Sequence, residues 1–333
     1  MFSLDFLLRW IWLPALASLG WILSQMPLST IGHTVATLVP SQWLGWLALN
    51  AIIIGAAVRR WQVFSEQLGA PIGFSQLLKI RQAGQTVSFV TPGPQFGGEP
   101  LQIYWLHNHY RTPLAPTLLA LALDRYYELF INCSILTVAL GLLLVSPFSA
   151  TANWLATGMG LATSLAAVGW IALGCWRNPE ALTTVLNSWS QQWPQRHILQ
   201  TLAVGWQAVA AVMQEATNAN KTLFLPALAL SMLAWTGLLA ELWLLLDMVG
   251  AGGNAWRFLL ILTAMRLAFL VPLPGGIGSL EAAILWVCQY LTLLSETAVG
   301  LLALMRLRDA VLLIIGSLCL AALHVDQSNK LVG

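Results

Sequence analysis

Two similar breaks interrupt otherwise apolar sequence, Thr91-Pro-Gly-Pro-Gln-Phe-Gly-Gly-Glu-Pro100 and Val271-Pro-Leu-Pro-Gly-Gly-Ile-Gly-Ser-Leu-Glu281. Proline and glycine leave backbone N–H and C=O groups outside helical pairing. A membrane tolerates such backbone only where it is buried in protein or lines a polar cavity. The two breaks therefore predict one shared cavity.

The composition places the chain in the membrane class. Of its 333 residues, 58% are hydrophobic and 8% are charged, and the mean hydropathy is +0.74. A soluble domain of this length could not bury so much apolar side chain. We expect no nucleic-acid partner, because the net charge is only +2 and the basic residues are scattered. The sequence predicts an all-α polytopic membrane protein with a single integral membrane domain over residues 1–333.

Six stretches are long and apolar enough to cross about 30 Å of hydrocarbon. They lie near residues 8–26, 39–58, 113–146, 152–176, 222–248 and 297–323. With the N-terminus in the cytoplasm, ten basic residues, among them Arg60 and Arg81, fall on the cytoplasmic side and only Arg257 lies outside. This bias follows the positive-inside rule and predicts that both termini are cytoplasmic.

Each break is expected to divide a re-entrant segment into two half-helices. The first segment covers about 74–109 and the second about 256–291. Two full spans over 256–291 would preserve the same topology and are the alternative. Residues 152–220 would connect the halves through one span and cytoplasmic interfacial helices. An extra span over 198–220 is the alternative there.

The spacing of charges indicates an inverted repeat. Glu99 precedes Asp124 by 25 residues, and Glu281 precedes Arg306 by the same 25. In each half a broken hairpin thus comes before a long apolar helix that carries charges. Residues 1–146 would form one half and residues 222–323 the other, an arrangement common in secondary transporters with a midplane site.

Ionisable residues inside the apolar stretches are functional candidates, because an unpaired charge at the bilayer centre costs at least about 2.5–3.5 kcal/mol. Asp124, Arg125 and Glu128 lie within about one helical turn of the third span. Arg125 and Glu128 are three residues apart and should pair. These charges could alternatively be self-neutralising pairs near a membrane boundary.

The last span carries a second group of charges. Arg306 and Asp309 repeat the three-residue spacing and should also pair. Arg308 has no evident carboxylate partner on its own helix face, which favours it as a residue that binds an anionic ligand. We expect that removing the charge of Arg306 abolishes transport while folding survives.

The ends of the half-helices could also bind an anion. A half-helix starting after Gly97 and Gly98 would point free N–H groups into the membrane interior. Ser279 is expected to be the N-cap of another half-helix, with Glu281 in its first turn. Two such starts could hold a phosphate. Alternatively, Glu99 and Glu281 only complete the helix ends and never meet substrate.

We find no Walker A motif, no G-x-S-x-G and no H-E-x-x-H. No catalytic residue, metal site or cofactor is therefore expected. The residues predicted to contact substrate are Arg125, Arg306, Arg308, Glu99, Glu281, Asp124, Glu128, Asp309, Gly97, Gly98, Gly275, Gly276 and Ser279.

Several sequence motifs of this chain resemble those of one protein family. They are Thr91-Pro-Gly, Gly97-Gly-Glu-Pro100, Asp124-Arg125, and Pro274-Gly-Gly-Ile-Gly-Ser-Leu-Glu281 followed by the span of Arg306. With them, nearly the whole chain resembles the transmembrane region of the lysylphosphatidylglycerol synthetase family, the flippase part of the multiple peptide resistance factor. The resemblance implies a multi-pass protein of the bacterial inner membrane that moves a lipid between leaflets, in the best-known members an aminoacylated phosphatidylglycerol. The chain ends soon after its last span, so lipid synthesis is not expected of it.

Three functions compete at this point. The first is a flippase for an anionic or aminoacylated phospholipid, whose headgroup phosphate is held by Arg125, Arg306 or Arg308. The second is a membrane enzyme that acts on a lipid-linked sugar or phosphate, with Glu99 or Glu281 as base. The third is a non-transporting partner of an envelope lipid-transfer complex. The expected partners are membrane phospholipids, with a homo-oligomer or an envelope protein as further possibilities.

Overall fold

The structure, a computed structural model, describes residues 39–91, 97–146, 154–192, 197–219, 224–271 and 273–332. Within these ranges the chain is helical and contains no strand. The all-α prediction is therefore confirmed. The predicted span at 8–26 lies outside the described residues.

Eleven α-helices occur in the described ranges. They are α1 (Pro40–Gln67), α2 (Phe74–Val90), α3 (Glu99–Tyr104), α4 (Leu114–Leu143), α5 (Trp154–Arg177), α6 (Pro179–Gln192), α7 (His197–Ala219), α8 (Phe224–Met248), α9 (Ala255–Ala268), α10 (Ser279–Tyr290) and α11 (Ser295–Val332). A π-helical turn, Trp105–His109, follows α3, and a 3-10 turn, Pro274–Gly276, lies between α9 and α10. Both predicted broken segments thus consist of two helices flanking a proline- and glycine-rich interruption.

Three helices, α1, α4 and α8, are long and apolar enough to cross a membrane. They coincide with the predicted spans 39–58, 113–146 and 222–248, so the membrane class is confirmed. Helices α5 and α11 lie where two further spans are predicted. The 38 residues of α11 extend about 57 Å, well beyond the roughly 30 Å of hydrocarbon. The total of six spans, the re-entrant topology and the interfacial position of α7 stay predictions.

The chain divides into two compact units. The first contains the described parts of residues 1–55, 75–105 and 233–333, and the second those of residues 56–74 and 106–232. Both proline- and glycine-rich breaks belong to the first unit. The division into an inverted repeat of residues 1–146 and 222–323 stays a prediction.

In the first unit, glycines bring α2 close to two other helices. A methyl group at Gly98, just before α3, would overlap with the carbonyl group of Gly84 on α2. The Gly98 N–H donates to Ser88 Oγ at 2.9 Å. Helix α11 also approaches α2, because a methyl group at Gly316 would overlap with the hydroxyl group of Thr86. Small residues permit such close contact between helices in membranes.

Replacing Gly98 with alanine is expected to destabilise the first unit by about 1–3 kcal/mol, because the added carbon would overlap with backbone that cannot rotate away. Unfolding of the purified protein in detergent measures the effect. Gly55→Ala is the control, since nothing lies within 4 Å of a methyl group at this position of α1. Alanine favours a helix over glycine, so Gly55→Ala should be as stable as the original chain or more so. Equal destabilisation by both variants would contradict the close packing of α2 and α3.

In the second unit, α4 packs against α5 and α7, and α6 packs against α7. Two glutamines of α7 reach α6: Gln207 donates to Asn187 at 3.3 Å, and Gln214 donates to Glu180 at 3.0 Å. The two glutamines are seven residues apart and therefore lie on the same side of α7. The polar face of α7 is therefore directed in part at a neighbouring helix.

Candidate functional site

Arg306 of α11 is the centre of the charged residues in the first unit. The residue is buried, and each of the five N–H groups of its guanidinium has an acceptor. Nε and Nη2 donate to Glu281 Oε1, the former at 2.8 Å, and Nη1 donates to Asp309 Oδ2 at 2.9 Å. The other two N–H groups donate to the carbonyls of Gly275 at 3.1 Å and Gly276 at 3.4 Å. Arg306 thus ties α11 to the second break, and all its donors are engaged within the chain.

The second break owes its shape to glycine. Gly275, Gly276 and Gly278 have φ angles of 58°, 63° and 88°, a region that residues with a side chain rarely adopt. Gly278 is the N-cap of α10, and its N–H donates to Glu281 Oε2 at 2.7 Å. The prediction of Ser279 as N-cap is therefore wrong. Ser279 is the first helical residue, and its hydroxyl donates to the Gly276 carbonyl at 3.2 Å.

The first break has a parallel arrangement. Helix α3 begins at Glu99 with Gly98 as N-cap, and Glu99 Oε2 accepts the Gly97 N–H at 2.7 Å. In both breaks a glutamate therefore accepts a hydrogen bond from a glycine N–H just before it. The N–H groups of Gly97, Gly98 and Gly278 are engaged by side chains, which disfavours the prediction that these groups hold a phosphate.

The two broken segments are in contact within the first unit. The ring of Phe89, near the end of α2, packs on Gly275 so closely that a methyl group there would overlap with it. The end of α2 leads directly into the first break, and Gly275 belongs to the second. The structure thus brings together the two segments for which the sequence predicts a shared cavity.

Arg308 has a partner that its own helix does not reveal. Its Nη1 donates to Glu241 Oε2 at 2.8 Å, and Asn50 Nδ2 donates to the other oxygen of Glu241 at 2.8 Å. The expectation concerned only the helix face of Arg308 itself, and the carboxylate partner lies on α8 instead of α11. Glu241 is buried, whereas Arg308 is part-exposed. Among the described residues, nothing accepts a hydrogen bond from Arg308 Nε.

In the second unit, Arg60 forms a buried ion pair. Its Nε donates to Asp124 Oδ1 at 2.7 Å, and its Nη1 donates to Ser231 Oγ at 3.1 Å. The apolar run predicts a span that ends at residue 58, with Arg60 beyond it on the cytoplasmic side, but α1 continues to Gln67 and Arg60 is only 3% exposed. That placement is wrong. Arg81, expected at the cytoplasmic flank of the first broken segment, is a buried residue of α2.

Arg125 and Glu128 form the ion pair that their spacing predicts. Arg125 Nη1 donates to Glu128 Oε2 at 2.8 Å. The same carboxylate lies 3.8 Å from Nη2 of Arg60. Together with Asp124, these residues form a group of two arginines and two carboxylates whose formal charges cancel. We call it the Arg60 group.

Four residues of these networks are absent from the predicted site: Asn50, Arg60, Ser231 and Glu241. The sequence could have indicated Glu241 as a site residue, because it is a carboxylate within one of the most apolar helices of the chain. The indication for Arg60 is weaker: the inward-facing residues Trp61, Phe64 and Leu68 continue the helical pattern beyond it. Nothing in the sequence indicates Asn50, because an isolated amide in an apolar helix does not point to a particular partner.

A family model described as "Lysylphosphatidylglycerol synthase TM region" matches residues 7–316. No curated protein and no solved structure shows a significant match to the chain. The matched range includes both breaks, Arg306 with its partners and the Arg60 group. The chain therefore belongs to the lysylphosphatidylglycerol synthase transmembrane-region family.

Proposed function

We propose that this chain is a flippase that moves an anionic or aminoacylated phospholipid between the leaflets of the bacterial inner membrane. Membership of the family connects this multi-pass protein with membrane lipids. The observation that carries the proposal is partial exposure of charge: the side chains of Glu281, Arg308 and Asp309 are 33%, 32% and 17% exposed. Charges at membrane depth are costly in hydrocarbon and usually face a polar path. We infer that a lipid headgroup uses this path.

The headgroup phosphate is assigned to Arg308 in preference to Arg306. An anion at Arg306 would have to displace Glu281 or Asp309, because every N–H group of that arginine is engaged. Arg308 makes its ion pair through Nη1, and its exposed part can meet a ligand. A guanidinium binds phosphate oxygens through two parallel hydrogen bonds, which suits this role. Arg125 stays a candidate within its own unit.

The charge balance of the first-unit network favours a headgroup that also carries an amine. Glu241, Glu281 and Asp309 provide three carboxylates, and Arg306 and Arg308 provide two guanidinium groups. With all five ionised, one negative charge is in excess. A phosphate alone would raise the excess to two, and an ammonium group next to the phosphate would offset this added charge, as in an aminoacylated or zwitterionic phospholipid.

Leaflet exchange in liposomes tests the role of Arg308. We expect Arg308→Lys to keep the ion pair with Glu241 but to slow exchange of labelled phospholipid by about tenfold or more, because lysine lacks the paired donors. Arg59→Lys is the matched control, since Arg59 is an exposed arginine of α1, and it should exchange lipid at the original rate. Phosphatidylglycerol, its aminoacylated form and a zwitterionic lipid are compared in parallel.

A second variant separates transport from folding. Arg308→Gln with Glu241→Gln removes both charges of the pair and leaves neither charge buried alone. We expect this double variant to fold and to lose exchange; full exchange would remove Arg308 from the site. If the original chain exchanges no lipid, a lipid product of altered mass would support the enzyme, and exchange only with a co-purified protein would support the partner role.

A further inference from the structure

Helices α2 and α3 pack against each other as the two arms of a hairpin. The surfaces that face each other, its inner face, contain buried polar atoms for which the described residues provide no hydrogen-bond partner. Gln102 is 1% exposed, and neither its Nε2 nor its Oε1 is hydrogen-bonded. Trp105 is fully buried, and its Nε1 is likewise without an acceptor. The two residues are three positions apart and lie on the same side of the helical segment.

These atoms lie where the two arms of the hairpin touch. A methyl group at Gly84 of α2 would overlap with the side-chain amide of Gln102. Arg81 and Ser88 share the face of α2 that carries Gly84, because they are three residues before it and four after it. Both are buried, and Ser88 accepts the Gly98 N–H. The inner face of the hairpin is thus polar although water hardly reaches it.

A buried amide without a partner is rare in folded proteins, since at least about nine in ten buried polar groups are hydrogen-bonded. A membrane segment has no surrounding water that could reach such a group by small motions. The unpartnered atoms of these two residues are two donors, Gln102 Nε2 and Trp105 Nε1, and one acceptor, Gln102 Oε1. An occupant must therefore both donate and accept hydrogen bonds. A hydroxyl group meets this requirement, because it donates and accepts hydrogen bonds at one atom.

We propose that Gln102 and Trp105 form an occluded site for a hydroxyl group, supplied by a trapped water molecule or by the hydroxylated headgroup of a phospholipid. A trapped water molecule is one source, because the site is closed to solvent and buried waters usually bond polar groups that are otherwise unsatisfied. A headgroup requires the two arms of the hairpin to separate at the Gly84–Gly98 contact. The headgroup case rests on the proposed flippase function, and the water case does not.

Thermal unfolding of the full-length protein in detergent tests the site without any transport measurement. Two soluble short-chain lipids serve as probes, dihexanoyl phosphatidylglycerol and dihexanoyl phosphatidylpropanol, which have the same charge and differ only in the two headgroup hydroxyls. The variant is Gln102→Met, which keeps the length of the side chain and removes the amide. Gln85→Met is the control, because Gln85 is an exposed glutamine of α2.

We expect Gln102→Met to lower the Tm by about 2–5 °C, because a satisfied hydrogen-bond network is lost, and Gln85→Met to leave it unchanged. If phosphatidylglycerol raises the Tm of the original chain more than phosphatidylpropanol does, and this difference vanishes in Gln102→Met, the headgroup supplies the hydroxyl. Equal shifts by the two lipids, together with the lower Tm, assign the site to water.

Two results would overturn the proposal. One is a Tm of Gln102→Met that is unchanged or higher, since replacing an unsatisfied amide with an apolar group is then neutral or favourable. The other is a difference between the two lipids that persists in Gln102→Met, which places the hydroxyl elsewhere. Absence of leaflet exchange would argue against the flippase but would not affect either arm of this test.

Discussion

Replacing Arg306 with glutamine is expected to lower the free energy of unfolding by about 3–5 kcal/mol, because it leaves two carboxylates without their buried partner. The same change frees the carbonyls of Gly275 and Gly276. Chemical denaturation of the purified protein in detergent measures the loss, and reduced yield from membranes should accompany it. The contacts thus alter the expectation from sequence that folding survives the loss of this charge.

Two further variants identify the cause of this loss. Arg306→Lys keeps the charge but cannot supply five donors in a planar fork. Its free energy of unfolding should therefore lie between those of the original chain and of Arg306→Gln. Adding Glu281→Gln and Asp309→Asn to Arg306→Gln removes the unpaired charges and should recover part of the stability. Unchanged stability of Arg306→Gln alone would contradict the network around the second break.

The second large effect is expected at the ion pair between Arg60 and Asp124. Arg60→Ala and Asp124→Ala should each cost about 3–5 kcal/mol, because either leaves a charge alone in a buried position. The double variant Arg60→Ala with Asp124→Ala should cost much less than the sum of the two single changes, because it leaves neither charge buried alone. A double-mutant cycle measured by denaturation should give a coupling energy of about 2 kcal/mol or more, typical of residues in direct contact.

Arg59 provides the matched control for the ion pair between Arg60 and Asp124. Arg59 lies beside Arg60 on α1 and pairs with Glu66 at 3.2 Å, but both side chains are exposed. An exposed pair contributes only about 0–1 kcal/mol, so Arg59→Ala and Glu66→Ala should change stability little. Similar losses at Arg59 and Arg60 would show that burial of the Arg60 guanidinium does not determine its energetic role.

Interactions within one helix were predictable from spacing, and interactions between helices were not. Arg125 with Glu128 and Arg306 with Asp309 pair as the three-residue spacing indicates, because helix geometry alone brings such residues together. Glu241 lies 67 residues before Arg308. A single sequence carries no signal that joins residues so far apart.

The positions of the breaks were also predictable, because proline and glycine act locally on the backbone. The helices end close to the expected residues on both sides of each break. The contact of Phe89 with Gly275 was not predictable, because it depends on how two distant segments pack. The end of α1 was missed because the apolar run stops at Arg59 while the inward-facing side of the helix continues.

The bond between Arg306 and Glu281 also constrains how the chain enters the membrane. The two residues are 25 positions apart, on successive helices, and each carries a charge that is expensive to insert alone. Ribosomal synthesis delivers Glu281 first. Insertion of α10 as a separate segment would leave its carboxylate in hydrocarbon without a counter-charge, so we expect α10 and α11 to leave the translocon together as one helical hairpin.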